Sequence, residues 1–99
     1  MLAEDGRVFI GCNVENSSFG LTVCAERNAV AAAVVAGARP VAVAVVANRS
    51  AVAPCGACRQ VLAEFAPAMP VLLATTAGEE RQITALDALL PGAFVFAKD

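Results

Sequence analysis

The placement of three cysteines constrains this chain more than any other feature. Cys24 stands at the head of an Ala-rich stretch, and Cys55-Gly56-Ala57-Cys58 stands at the head of a second helix-forming stretch. A Cys-x-x-Cys turn lets two sulfurs reach one ion, and a third sulfur from another helix start can join them. Helix starts present free N–H groups and a partial positive charge, and both favour the thiolate. The fold must therefore bring two helix starts together. It must do so within 99 residues, enough for a single domain spanning 1–99. So short a chain buries a limited core, and a bound metal or partner subunit would add stability.

The remaining sequence punctuates readily. Asp5-Gly6 is a turn signal, and the apolar segment Arg7 to Val14 is expected to be a strand. Glu15 to Gly20 reads as a loop. Cys24 to Ala36 lacks Gly and Pro and predicts a helix capped by Gly37. Val41 to Ala47 is a nearly continuous apolar run, as in a strand covered on both faces. Gly56 to Phe65 predicts a second helix stopped by Pro67. Val71 to Thr75 is a further strand, and Ala77 to Glu80 a turn. A short third helix is expected from Ile83 or Thr84 to Pro91-Gly92, followed by a tail over Phe94 to Ala97. Strands alternating with helices imply an α/β layered domain with parallel neighbours.

Composition removes several classes of function. Hydrophobic residues make up 59% of the chain, His, Trp and Tyr are all absent, and the net charge is −2. Without His there is no Ser-His-Asp triad and no His-rich metal site. An acidic balance without a basic stripe argues against a nucleic-acid polymer as partner. No run of ~20 apolar residues suits a membrane span. The N-terminus lacks the basic-then-apolar pattern of a secretory signal. Clustered cysteines in such a chain suggest a reducing cytoplasm, and metal rather than disulfides.

Three thiolates leave one position on a zinc ion open, the pattern of a catalytic site; structural sites are closed by four ligands. Cys12 could be a fourth ligand, but its place in the expected strand reads as a small buried apolar residue. Glu26, two residues after Cys24, can face the open position without binding the metal, and there it can move protons. A first-turn Glu favoured by the helix dipole is the plainer reading of that residue alone. Cys-x-Glu followed by Pro54-Cys55-x-x-Cys58 is the general signature of zinc deaminases.

The chain resembles the small, tetrameric cytidine deaminases through Gly11-Cys12-Asn13-Val14-Glu15-Asn16, Cys24-Ala25-Glu26-Arg27, Pro54-Cys55-Gly56-Ala57-Cys58-Arg59-Gln60-Val61-Leu62 and Leu89-Leu90-Pro91-Gly92-Ala93-Phe94. The resemblance implies a three-layer α/β/α domain with a mixed central sheet. It implies one zinc ion held by Cys24, Cys55 and Cys58, with Glu26 as the proton shuttle. It implies a free pyrimidine nucleoside as substrate, its ribose held by Asn13 and Glu15 and its base by the backbone of Ala25. Phe19 and Phe94 would wall the nucleoside, partly across subunits of a homotetramer. Arg27 would donate to the ligand sulfurs and offset their electron density. Arg59 stays open between a solvated charge and a role at the site. The reaction implied is hydrolytic deamination of cytidine and deoxycytidine in pyrimidine salvage. The alternatives are an aminonucleoside deaminase or a non-catalytic zinc-binding chain of the same fold.

The resemblance also implies a helix and a strand ahead of Leu2, with Met1-Leu2-Ala3 as the end of that strand. On this reading the chain is shortened at its front. A misassigned start, a fragment, or a sheet completed by another chain would each account for it.

Overall fold

The computed structural model describes residues 1–94. Its order is β1 (Leu2–Ala3), α1 (Ala25–Val35), β2 (Pro40–Ala47), α2 (Gly56–Ala63), β3 (Pro70–Thr75), β4 (Arg81–Ala85) and α3 (Leu86–Leu89), with a 3-10 turn at Phe19–Leu21. The strands form one mixed sheet in the order β1-β2-β3-β4. β2 and β3 run parallel, pairing Val43 with Val71 and Val45 with Leu73, and the two outer pairs are antiparallel. The expected α/β class and mixed sheet are borne out.

Helix α1 forms because its Ala-rich sequence carries no breaker, and it ends where Gly37 takes a φ of +72°. There Ala38 N–H donates to Ala33 O and Gly37 N–H to Val34 O, the paired bonds that satisfy carbonyls at a helix end. Ala29, Val30 and Ala33 form its buried stripe. Against that stripe pack Val43 and Val45 of β2, Val71 and Leu73 of β3, Leu62 of α2 and Leu86 of α3. The three helices thus share one face of the sheet. On β2 burial alternates, with Val43 and Val45 buried and Ala44 and Val46 exposed. This corrects the expectation that the run is covered on both faces. The third layer implied by the resemblance does not come from the described residues.

Two elements differ from their sequence-based expectations. Arg7 to Val14 is not a continuous strand. Leu2 bridges Val8 across the Asp5-Gly6 turn, Phe9 and Met1 exchange hydrogen bonds, and Val14 bridges Val23. Between these bridges no strand lies alongside the segment among the described residues, so no ladder forms. Gly11 instead presses on α1: a Cβ there would stand 2.2 Å from Ala25 O and 2.5 Å from Ala29 N. The second difference is Arg81–Ala85, expected to lead into the third helix and found as β4. Gly78, at φ +72°, turns the chain, and Thr75 Oγ1 accepts from the N–H groups of Glu79 and Glu80. The hairpin so formed gives Ile83 a cross-strand partner in Leu72. Of the expected tail, residues 95–97 lie outside the described residues.

Candidate metal centre

Each helix start delivers its cysteine as the sequence predicts. Cys24 and Cys55 are the N-cap residues of α1 and α2, both extended, with ψ of 155° and 168°. Neither makes a side-chain capping bond, so both thiols are free to turn toward each other. Cys58 lies on the first turn of α2 and is completely buried, one turn ahead of the equally buried Leu62. The Sγ atoms of Cys24 and Cys55 are 3.7 Å apart, those of Cys55 and Cys58 are 3.5 Å apart, and all three lie within 4.8 Å of one another. Zinc–sulfur bonds of about 2.3 Å in a tetrahedron require neighbouring sulfurs about 3.8 Å apart. The donor set and its spacing fit a zinc ion. Because Cys55 is exposed above buried Cys58, the triangle opens to the surface on the Cys55 side.

The thiols differ in their electrostatics. The backbone N–H of Cys58 donates to the Cys55 sulfur and lowers its pKa, as a helix start should. Burial pushes the Cys58 thiol up, and its contact with the Cys55 sulfur and the charge of Glu26 add to the shift. Arg27 stands beside these sulfurs. Its Nη2 donates to Cys24 Sγ at 3.7 Å and to Thr22 O at 3.2 Å, and contact with the Cys24 and Cys58 sulfurs raises its own pKa. Its Nε is buried without a hydrogen-bond partner.

Glu26 lies on the first turn of α1 beside Cys24 and is half-buried. It lines a cavity of about 290 Å³ together with Ala25, Gly11, Phe9 and Ala44. No cysteine borders that cavity, and neither do Asn13 and Glu15, so it is not by itself a substrate pocket. Asn13 and Glu15 are exposed and flank Val14, which bridges Val23, the residue before Cys24. Phe19 and Phe94 are 89% and 74% exposed, so the single chain does not enclose a ligand between them. Cys12 is exposed rather than buried and stands outside the sulfur cluster, because its segment is not a covered strand.

Asn28 went unnoticed in the sequence. Its Nδ2 donates to Cys12 O at 2.7 Å and ties the segment bearing Asn13 and Glu15 to α1. Its signal was an amide within an Ala-rich helix, where Asn is otherwise unfavourable. Thr22 was missed too: its hydroxyl accepts from Asn16 N–H while its carbonyl receives Arg27.

A partly open thiolate centre on an α/β sheet, with a carboxylate alongside, is the architecture of a metal-dependent hydrolase. Comparison with known proteins narrows the class. The family model described as the cytidine and deoxycytidylate deaminase zinc-binding region matches residues 1–74. The cytidine deaminase of Sporosarcina psychrophila is 52% identical over 97 residues, which are 95% of this chain and 71% of that protein. That of Halalkalibacterium halodurans is 52% identical over 97 residues, covering 95% and 73%. The crystal structure of cytidine deaminase from Burkholderia pseudomallei superposes with a TM-score of 0.85 at 48% identity, over 94% of this chain and 76% of that one. The chain belongs to the cytidine deaminase family. It is accordingly a hydrolase, and zinc is its metal.

Proposed function

We propose that this chain deaminates free cytidine and deoxycytidine to uridine and deoxyuridine, using one zinc ion held by Cys24, Cys55 and Cys58. The observation that carries the reading is the sulfur triangle, spaced for one zinc ion, with Glu26 beside Cys24 on the same helix turn. Zinc, when bound there, supplies the Lewis acidity that makes water nucleophilic near neutral pH. Glu26 takes a proton from the attacking water and delivers it to N3 of the pyrimidine. The water oxygen bonds to C4, Glu26 moves that oxygen's remaining proton to the exocyclic nitrogen, and the C4–N bond breaks as the C4 carbonyl forms, releasing ammonia. General acid–base transfer of this kind is worth about 10²–10⁴ in rate.

Asn13 and Glu15 hydrogen-bond the ribose, and the Ala25 backbone holds the base. Support for this is their attachment to the metal-bearing helix through the Val14–Val23 bridge and Asn28. Phe19 and Phe94 complete the nucleoside wall, partly from neighbouring copies of a homotetramer, a reading supported by the exposure of both rings. Free nucleosides and an acidic protein fit a cytoplasmic salvage role. Among the described residues no helix is long and apolar enough to cross a membrane.

The test follows the loss of cytidine absorbance with purified protein, with zinc measured on the same sample. One zinc per chain with turnover is expected. Full zinc with no turnover of either nucleoside contradicts the proposal and favours a metal-binding chain without activity.

A further inference from the structure

Arg59 follows Cys58 directly on α2, and none of the roles proposed above uses its side chain. Its Nε donates to Pro54 O at 2.7 Å and its Nη1 donates to Leu89 O at 2.7 Å, both bonds partly buried. The two acceptors lie in different parts of the fold. Pro54 is the buried residue immediately before Cys55, and Leu89 is the last residue of α3. Gln60, next along the helix, donates its Nε2 to Phe94 O at 3.2 Å. Two consecutive residues after the third cysteine therefore grip the turn that carries the second cysteine and the segment that carries Phe94.

Cys55 has no side-chain capping bond of its own, so its thiol direction depends on the backbone entering α2. The Pro54–Cys55 peptide is one rigid plane. Fixing the Pro54 carbonyl therefore fixes the Cys55 N–Cα direction, the axis about which helix α2 sets φ and so the exit of Cβ toward the other sulfurs. A guanidinium suits this work, since its planar fork keeps two acceptors in a constant relation. A lysine ammonium is a point donor on a flexible stem and imposes no such plane. The Leu89 carbonyl is one of the acceptors a helix end leaves unpaired, and a cation there is doubly favoured.

We propose that Arg59 is a positioning residue for the metal centre: through the Pro54 carbonyl it sets the Cys55 sulfur, and through Leu89 it locks the C-terminal segment to the same helix. It touches neither metal nor substrate. The inference rests on the reading that Cys24, Cys55 and Cys58 hold the metal.

The test uses the full chain loaded with Co(II), whose visible bands report the ligand geometry, beside Arg59→Lys and Gln60→Ala. Melting by circular dichroism checks that each variant folds. Arg59→Lys, which keeps the charge, takes up one Co(II) with shifted bands and loses metal to a chelator about tenfold faster, the low end of what outer ligand supports contribute. Gln60→Ala, which releases only the Phe94 carbonyl, keeps the bands and release rate of the parent. A purely structural tie would lower the melting temperature of Arg59→Lys without moving either metal readout, and that result overturns the inference. A parent protein that takes up no Co(II) overturns the metal-centre reading, and this inference with it. A parent that takes up one Co(II), with Arg59→Lys matching its bands and release rate, overturns this inference alone.

Discussion

Arg27 Nη2 stands 3.7 Å from the Sγ of Cys24, three residues back on the same helix, and the Nε of the same guanidinium is buried without a partner. Three thiolates on one Zn²⁺ leave a net negative centre, which makes a bound water less acidic than a His-rich site would. On the proposed reading, Arg27 withdraws part of that density. Arg27→Gln should keep zinc but lower kcat by about 10–100-fold, the usual cost of removing a group that supports a metal ligand. Arg27→Lys should recover little, because a point ammonium on a flexible stem is not held in the guanidinium plane from which the single Nη2 reaches both the Cys24 sulfur and the Thr22 carbonyl. Steady-state kinetics on zinc-saturated protein measure both; an Arg27→Gln enzyme with the parent's kcat contradicts the role.

Asn28 makes a separable contribution. Its bond to Cys12 O holds the segment with Asn13 and Glu15 against α1. Asn28→Ala should raise KM for cytidine about tenfold, the weight of one good hydrogen bond, with kcat changed little. An unchanged KM would show that the Val14–Val23 bridge alone places the segment.

Gly11 tests the packing under the site. Any side chain there meets Ala25 O at 2.2 Å, and backbone cannot yield as a flexible side chain can. Gly11→Ala should destabilise the fold by about 1–3 kcal/mol, the usual cost of overpacking. Chemical denaturation measures it. A parent-like midpoint would mean that α1 can move away from the segment.

Zinc should stabilise as well as catalyse. Metal at a hundred times its Kd adds about 2.7 kcal/mol. In a domain of this size each kcal/mol moves Tm by about 4–8 °C, so chelation should lower Tm by about 10 °C or more. Burial keeps the Cys58 thiol protonated in the metal-free protein, so binding must release that proton. Zinc affinity should therefore fall as pH falls. A chelator-insensitive Tm, or an affinity flat with pH, contradicts the three-thiolate centre.

Much of this site was legible in sequence because its geometry is local. Cys24, Glu26 and Arg27 share one helix start, and Cys55 and Cys58 share another, so spacing alone sets their mutual reach. The second strand and the first two helices were legible for a similar reason: their breakers, Gly37, Pro40 and Pro67, stand at or near the observed ends. What escaped depended on distant partners. Arg81–Ala85 becomes a strand through its ladder with β3, while Arg81, Gln82 and Ile83 are exposed and show no burial pattern. Arg7 to Val14 has the composition of a strand but lacks a neighbour along most of its length. Arg59 and Asn28 act on backbone carbonyls, which spacing does not show.

Proton transfer by Glu26 in a zinc-dependent deamination is tested most directly by comparing Glu26→Gln with the parent for bound zinc and for cytidine turnover on the same preparations. One zinc per chain in both, with turnover lowered by at least about 10²-fold in Glu26→Gln, is the predicted result. A Glu26→Gln protein that holds zinc and deaminates cytidine at the parent's rate contradicts it.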